Sequence, residues 1–355
     1  MKPITIVGGG LAGLTLGIKL RQNDVPVTLV EAGSYPRHRV CGEFISGVGV
    51  EVLQALDVDE LQHGSMQPAV SCAFFSARQI LMNRRLPARA VTVSRFHLDA
   101  ALAKKFRELG GDLREGERSQ GCTDEEGAIC ALGRRAQSVE NGWRWFGLKL
   151  HARQVELTAD LEMHIARDSY VGLCRLAGDE VNVCGLFRRK RGESANNNSL
   201  DWLRGERGSQ LFQKLEHAEF DSESICAVAG LSLRPQPIDS RECRIGDALT
   251  MIPPITGNGM SMAFESAQLA VEPILSYARG ESDWSKTTAH VAEILRGRFA
   301  CRLRWAALIH RVLFSRFSSP ALEMMLKSER GWRAAFAATG LLSRSLDFTN
   351  AGSCH

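Results

Sequence analysis

The residues best suited to chemistry stand near the start of the chain, where a glycine-rich turn is followed by a carboxylate. Gly8, Gly10 and Gly13 have G-x-G-x-x-G spacing, and Glu31 lies further along. The first glycine permits a tight turn, the second lets the backbone approach a pyrophosphate, and the third lets a helix pack closely on a strand. A carboxylate about 20 residues beyond the turn can accept hydrogen bonds from a ribose diol. The pattern therefore predicts a dinucleotide-binding turn.

The segments around this turn are those needed to position it. Residues 4–7 are a β-branched run typical of a buried parallel strand, and residues 25–31 form a second such run. Apolar residues between them recur at helical spacing, which predicts a helix from Leu11 to about Gln22. The N–H groups of its first turn, at Leu11 and Ala12, would face the phosphates. The alternative is a glycine-rich turn without a ligand, and the strand, helix and acid around it argue against that.

Three later motifs address a question that the first leaves open, namely whether the nucleotide is FAD or NAD. Residues 35–46 read Tyr-Pro-Arg-His-Arg-Val-Cys-Gly-Glu-Phe-Ile-Ser, and residues 94–99 read Ser-Arg-Phe-His-Leu-Asp. A Gly-Asp-Ala motif at 246–248 precedes Pro-Pro and then Gly-Asn-Gly-Met at 257–260. These motifs resemble the PR…CGE loop, the SR..LD helix start and the second FAD motif of one superfamily. It comprises aromatic-hydroxylase-type FAD monooxygenases, flavin halogenases and geranylgeranyl reductases, and the matches follow the family's order over residues 1–280.

The resemblance implies FAD as the cofactor and an α/β fold, with a Rossmann-like FAD-binding domain, an antiparallel-sheet substrate domain and a helical C-terminal tail. We assign residues 1–63, 91–135 and 236–280 to the FAD-binding domain, 64–90 and 140–235 to the substrate domain, and 281–355 to the C-terminal helices. The motifs together predict the following cofactor contacts: Gly8, Gly10, Leu11, Ala12, Gly13, Glu31, Ala32, Arg39, Cys41, Gly42, Arg95, Gly246, Asp247, Gly257, Asn258, Gly259 and Met260.

The second FAD motif suits a flavin for physical reasons. Asp247, at the end of a strand, could accept hydrogen bonds from the ribityl hydroxyls. The following glycines open a helix from Met260 to about Tyr277, which Pro273 could kink. Its N-terminus could face the pyrimidine edge of the flavin, where negative charge gathers on reduction. The alternative, an ordinary Pro/Gly turn capped by a helix, carries little weight beside the first motif.

The sequence predicts no catalytic residue. Cys41 could be a reactive thiol, but we expect it to pack against the cofactor, because no thiolate-stabilising context can be read around it. Arg39 could steer an anionic group or lie on a solvated loop, whereas Arg95 belongs to a matched motif, which implies that it approaches the flavin. His151 and His164 fall in the presumed substrate sheet, where a surface or core role is expected for each.

Three departures from the family's patterns argue against halogenation, against isoprenoid reduction and against a dedicated docking site for NAD(P)H. Residues 142–147 contain Trp-x-Trp but lack the Ile-Pro that follows it in flavin halogenases, and they precede its usual position. Residues 168–173 lack the aromatic run of the reductases. Residues 131–133 read Ala-Leu-Gly where hydroxylases have Ala-Asp-Gly. NAD(P)H could still be the electron donor, but its docking motif is incomplete, so a separate reductase partner could reduce the flavin.

Monooxygenation is the lead hypothesis, with hydroxylation of a small hydrophobic substrate that is aromatic or carrier-linked. One alternative is a reductase or dehydrogenase of a lipid- or isoprenoid-like double bond. Another is a flavoprotein that modifies or chaperones a partner protein.

Composition and cysteine spacing limit the other classes. The chain is 44% hydrophobic with a net charge of +4, which is ordinary for a globular protein and gives no support to nucleic-acid binding. Its 10 cysteines include no Cys-x-x-Cys pair, so no metal site is predicted, and scattered unpaired thiols favour a cytoplasmic location. The first residues lack the apolar stretch of a signal peptide. Residues 302–314 form a basic amphipathic helix that could contact a membrane, although core packing of its apolar side is the commoner explanation.

Overall fold

The computed structural model describes residues 1–58, 61, 64–119, 121–122, 124–134, 139, 142–190, 199–233, 242–315, 326 and 328–338. The strands are β1 (Ile4–Val7), β2 (Val27–Glu31), β3 (Phe44–Ser46), β4 (Met66–Phe75), β5 (Ile80–Val93), β6 (Asp112–Glu115), β7 (Ala128–Cys130), β8 (Trp143–Arg153), β9 (Leu161–Ala166), β10 (Ser169–Arg175), β11 (Val181–Lys190), β12 (Glu219–Ala229) and β13 (Cys243–Arg244). The helices are α1 (Leu11–Arg21), α2 (Val48–Gln54), α3 (Arg95–Glu108), α4 (Ser199–Arg204), α5 (Gln210–Leu215), α6 (Gly259–Ala278), α7 (Trp284–Leu313) and α8 (Glu329–Ala338). Residues 192–200, whose Gly and Asn content predicts an exposed loop, lie outside the described residues up to position 198.

A parallel sheet forms the first layer. Its five strands have the order β13-β7-β1-β2-β6. Val7, at the end of β1, pairs with Val30 of β2 and with Cys130 of β7. The carboxyl ends of these strands therefore meet at one edge, which is where open α/β sheets bind their ligands. The prediction of a Rossmann-like α/β part is confirmed.

Helix α1 is buried on nearly every side. Every residue from Leu11 to Ile18 is buried. The sequence predicted a single apolar stripe, but α3 and α6 cover the face that would otherwise meet solvent. A Cβ on Gly17 would lie 2.9 Å from the ring of Phe106 in α3, which shows how closely these helices approach.

A second sheet stands beside the first. Its eight strands have the order β12-β8-β11-β10-β9-β4-β5-β3, and β4–β9 is a parallel contact among antiparallel ones. The antiparallel sheet is therefore confirmed. Residues 91–93, which we assigned to the FAD-binding domain, are the end of β5 and pair with β3 and β4. Pro87 falls in an irregular part of that strand, between its paired stretches, where a missing N–H costs no ladder hydrogen bond.

The C-terminal helices pack on both layers. Asp283 caps α7 by accepting a hydrogen bond from the Lys286 N–H at 2.8 Å. In the middle of α7, the buried Arg302 pairs with Glu265 of α6 at 2.7 Å. At its end, Phe314 packs edge-on against Trp145 of β8, with the ring centroids 4.9 Å apart. The helical tail is thus confirmed over its described part, in which none of the helices combines the length and apolarity needed to cross a membrane.

The expectation that the cysteines are all unpaired does not hold for two of them. Cys122 and Cys130 are joined in a disulfide, with Cα atoms 5.2 Å apart. The two cysteines are 8 positions apart in the chain, a spacing that gives no sign of pairing in the sequence.

Candidate functional site

The turn between β1 and α1 has the shape that its glycines predict. Gly8 has φ +110°, and a Cβ there would meet the carbonyl oxygen of Ala131 at 2.3 Å. A Cβ on Gly13 would meet the carbonyl oxygen of Gly8 at 2.0 Å, so glycine is needed for α1 to pack this closely. At Gly10, the N-cap of α1, a Cβ would meet nothing within 4 Å. This open space lies beside the helix N-terminus, where a pyrophosphate is expected.

Glu31 ends β2 next to the same turn. Its carboxylate accepts hydrogen bonds from the N–H groups of Gly9 at 2.7 Å and Gly33 at 2.9 Å. Arg37 pairs with it at 2.7 Å, and Arg39 lies 3.7 Å away. Burial alone would raise the pKa of Glu31, but the hydrogen bonds from Arg37 and Gly33 outweigh it and lower the pKa to about 2. Glu31 is therefore a carboxylate at neutral pH, as an acceptor of ribose hydroxyls must be.

Arg95 lies in the first turn of α3 and is buried. It forms a bidentate pair with Asp99, at 2.6 and 2.8 Å, and Ser94 caps the helix by accepting from the Phe96 N–H at 3.2 Å. The guanidinium also reaches the thiol of Cys41. Burial raises the pKa of that thiol, so Cys41 stays protonated and is a poor nucleophile. The structure thus brings Arg95 and Cys41 into contact, with the guanidinium held by Asp99 and the thiol protonated.

The two FAD motifs touch each other. Gly246 has φ +59°, and a Cβ there would lie 2.8 Å from the Cβ of Ala12 in α1. Its N–H donates to the Ser266 hydroxyl of α6 at 2.9 Å. Beside it, the carboxylate of Asp247 makes no hydrogen bond or ion pair with any described residue, and burial raises its pKa. An acceptor left open between two cofactor motifs fits the predicted role at the ribityl chain.

The N-terminus of α6 completes the contacts from the second motif. Gly257 has φ +65° and lies against the ring of Phe44. Asn258 is fully buried at the N-cap, and Met260 is buried in the first turn. A Cβ on Gly259 would meet nothing within 4 Å. The helix end therefore faces open space, as the prediction of a flavin contact requires.

The remaining predicted contacts divide into two kinds. Gly42 also has open space where a Cβ would lie, and it faces a large cavity. Leu11 is buried at the start of α1, close to the pyrophosphate turn. Ala32, by contrast, is exposed after β2, and nothing in its surroundings indicates a particular role.

The sequence did not single out Glu43, although it is the centre of a buried ionic cluster. Glu43 has φ +55° and is fully buried. It accepts from the Arg95 backbone N–H at 2.8 Å, bonds the Nε2 of His151 at 2.8 Å and lies 3.5 Å from the Nζ of Lys149. Although burial would raise it, the pKa of Glu43 is lowered, chiefly by the His151 hydrogen bond. Lys149 also contacts the Nδ1 of His38 at 3.1 Å.

This cluster fixes the CGE loop against the second sheet. It also gives His151 the core role expected of it, and His164 is likewise buried, stacked on Phe75. The sequence signal for the cluster was the Glu in the CGE motif and the alternation of Lys149 and His151 in one strand. The sequence did not show that these segments, more than 100 positions apart in the chain, pair with each other.

A cavity of about 240 Å³ lies between the cofactor motifs and the second sheet. On one side it is lined by Cys41, Gly42, Arg134, Thr256 and Gly257. The opposite wall is made largely of apolar side chains from β4, β9, β10, β11, α7 and α8, including Phe74, Leu161, Met163, Ile165, Leu173, Leu186, Ile309, Leu313, Trp332 and Phe336.

The residues present fit FAD. Open space beside Gly10, Gly42 and Gly259 would receive the pyrophosphate and flavin, and a Cβ at any of them would intrude on that space. Glu31 would hold the ribose, and the open carboxylate of Asp247 would hold the ribityl chain. When bound, FAD would supply the electron-transfer chemistry.

Comparisons with known proteins agree with this geometry. Residues 1–155 match the family model described as "FAD binding domain". A curated relative from Dictyostelium discoideum, conditioned medium factor receptor 1, is 22% identical over a match covering 75% of this chain and 62% of that protein. The chain thus spans about three-fifths of the length of this relative.

Solved structures share the fold over nearly the whole chain. The flavin-dependent brominase Bmp2 matches with a TM-score of 0.75 and 15% identity, covering 99% of this chain and 96% of that one. A geranylgeranyl bacteriochlorophyll reductase-like protein from Thermoplasma acidophilum matches at 0.72 and 15%, covering 95% and 96%. A mutant of the halogenase PltM, solved with FAD, matches at 0.72 and 13%, covering 95% and 85%. These structures confirm the fold, and the match to the FAD-binding model agrees with the prediction of FAD as cofactor.

Proposed function

We propose that this FAD-dependent oxidoreductase is a monooxygenase that hydroxylates a hydrophobic substrate, aromatic or carrier-linked. The observation that carries the proposal is the cavity, which joins residues expected at the flavin to a wall of apolar side chains. Reduced FAD supplies the electrons that activate oxygen. The chain's own residues then have to bind the substrate, orient it and exclude water.

The lining of the cavity indicates the character of the substrate. Apolar surface buried there contributes about 25 cal/mol per Å², so an aliphatic or aromatic molecule gains most from entering. Polar side chains are few, and Glu162 among them is already bonded to His164 at 3.0 Å. Tyr170 also lines the cavity, and burial raises the pKa of its hydroxyl, which therefore stays protonated. A substrate with one or two oxygen groups on an apolar body fits these walls best.

Isotope-labelled dioxygen gives the direct test. Protein loaded with FAD and reduced anaerobically with dithionite is mixed with labelled dioxygen and lipophilic phenols, and products are read by mass spectrometry. We expect one labelled oxygen atom in the product and no hydroxylated product without dioxygen. Oxygen consumption that yields hydrogen peroxide alone with every phenol would count against hydroxylation of phenols.

Reduction of a lipid-like double bond is the second candidate. The apolar cavity suits such a substrate, and the likeness to the reductase-like protein favours it. The same reduced protein, kept free of oxygen, is mixed with an isoprenoid alkene. A product heavier by two hydrogen atoms, formed only anaerobically, would establish reduction and displace the monooxygenase proposal.

The positions of Trp143 and Trp145 give halogenation less support than the other two reactions. Trp145 is buried between His310 and Phe314, and Trp143 stacks on the guanidinium of Arg188 at 4.3 Å. Both therefore pack within the sheet and its covering helix. Adding bromide to the oxygen assay tests whether the protein halogenates. Formation of a brominated phenol would show that the packing of these tryptophans does not argue against halogenation.

A further inference from the structure

The outer face of α7 carries an apolar stripe that the proposed chemistry does not use. Trp305 and Leu308 are each 46% exposed, and Val312 is half-buried beside them. Cys301 extends the stripe one turn earlier. These positions recur at i, i+4, i+7 and i+11, so they share one side of the helix. A stripe of large apolar side chains that faces solvent indicates a surface with a binding partner.

The charged residues of α7 beside the stripe are all positive. Arg304 and Arg311 are exposed next to it, and neither forms an ion pair with a described residue. From residue 294 to residue 315 the chain contains no Asp or Glu. Two further arginines of α7, Arg298 and Arg302, are already bound to Glu265. Arg304 and Arg311 therefore present a cationic border to the apolar stripe, and this combination complements the headgroups and acyl chains of an anionic bilayer.

The same helix also reaches the cavity. Ile309 and Leu313 line it, each one residue beyond a member of the stripe and so about 100° further around α7. The apolar stripe and the residues that line the apolar cavity therefore occupy adjoining sides of one helix. A molecule soluble in lipid would have a short path from a bilayer under the stripe to this part of the protein.

We propose that the outer face of α7 docks reversibly on the surface of an anionic lipid bilayer, from which the cavity takes a lipid-soluble substrate. The docking stands on the exposed stripe and the arginines alone, and only the delivery of substrate rests on the proposed function. Each arginine near an anionic surface strengthens binding roughly fivefold, so the two together contribute about 25-fold. Because α7 is anchored to the core by Arg302, the face docks as part of the folded protein.

Vesicle sedimentation of the FAD-loaded full chain tests the docking. Vesicles of phosphatidylcholine alone are compared with vesicles that also contain phosphatidylglycerol. Three double variants are measured: Trp305→Ser with Leu308→Ser, Arg304→Gln with Arg311→Gln, and a control, Val70→Ser with Ile80→Ser, which removes apolar side chains of similar exposure from the β4–β5 hairpin. FAD content and thermal stability are recorded for each, and oxygen-dependent turnover is measured with a detergent-solubilised substrate.

We expect the wild type and the control to bind the anionic vesicles and to bind phosphatidylcholine weakly. The arginine variant should bind roughly 25-fold less tightly, with a weaker dependence on salt, and the Trp305/Leu308 variant at least tenfold less tightly, each with unchanged FAD content. The docking is overturned if the wild type ignores the anionic vesicles or if the stripe variant binds like the control. It is also overturned if the wild type is a dimer that the stripe variant dissociates without any vesicle binding. Loss of turnover in detergent would bear on the proposed function and leave the docking result intact.

Discussion

At the scale of single residues, the glycines of the nucleotide site serve two different purposes, which are close packing of the backbone and room for the ligand. Gly13 is needed for packing, because its missing Cβ allows the carbonyl of Gly8 to approach. Gly10 is not needed for packing, because a Cβ there meets nothing in the protein. Asp247 is the polar counterpart, a half-buried carboxylate that forms no hydrogen bond with the described residues. Its oxygens are therefore open to hydrogen bonds from a ligand.

Substituting these two glycines should therefore give different failures. Gly10→Ala should leave the free energy of unfolding within about 0.5 kcal/mol of the wild type but weaken FAD binding at least tenfold, because its Cβ takes space needed by the pyrophosphate. Gly13→Ala should destabilise the protein by about 1–3 kcal/mol even without FAD, because α1 must move away from the turn. Thermal unfolding of the FAD-free protein and FAD titration separate the effects. A destabilised Gly10→Ala with normal FAD affinity would contradict this assignment.

At the scale of elements, α7 holds the second sheet through an aromatic contact that is sensitive to acid. His310 packs against Trp145 and Phe314, with ring centroids 5.0 and 4.7 Å away. Burial, with a smaller contribution from Arg188, lowers the pKa of His310 to about 4. The unfolded chain takes up the proton near its ordinary value of about 6.5. The contact therefore contributes stability above that pH and loses it as the pH falls towards 4.

His310→Met should make the protein less sensitive to acid. The variant keeps an apolar side chain of similar size but cannot be protonated, so the fall in stability between pH 6.5 and 4 should shrink by on the order of 2 kcal/mol, after discounting for partial exposure. His38, whose pKa burial also lowers to about 4, will retain part of the fall. Denaturant melts across this range measure it, with the exposed His217→Met as control. Equal slopes for both variants would show that His310 has no such role.

At the scale of the whole molecule, the cavity exists because two sheets and the C-terminal helices meet around it. Strands β4, β9, β10 and β11 of the second sheet line it, and small residues are among those that do so. Gly172 pairs with Met163 on one side and Cys184 on the other, and all three line the cavity. A Cβ on Gly172 would make only ordinary contacts, at 3.7 Å or more. Glycine at this position therefore keeps the space open rather than meeting a backbone requirement.

Filling that space should block the substrate and spare the cofactor. Gly172→Ala should retain FAD and stabilise the protein by about 0.5–1 kcal/mol, since glycine weakens a strand interior. Gly172→Phe should retain FAD but raise the KM for a lipophilic phenol at least tenfold, because the ring occupies the cavity. Steady-state kinetics together with the FAD content of the purified protein test this. Unchanged KM in Gly172→Phe would place the substrate elsewhere.

The sequence by itself determined those features that a few consecutive residues encode. The glycine turn with its flanking strands and helix, Glu31 at the end of β2, the cap of α3 and the start of α6 all follow from local conformational preferences. Each depends on φ, on a missing Cβ or on a side chain that bonds its own neighbourhood. The helix limits expected for α1 and α6 accordingly differ from the structure by about one residue.

Only the tertiary structure decided what depends on distant segments. The pairing of Glu43 with His151, the place of residues 91–93 in the second sheet and the composition of the cavity wall are of this kind. An alternating strand shows which residues share a face, but it does not show which face is covered or by what. Which face is covered is decided when strands and helices far apart in the chain pack together. For this reason the cofactor could be predicted from the sequence, whereas the substrate cavity could not.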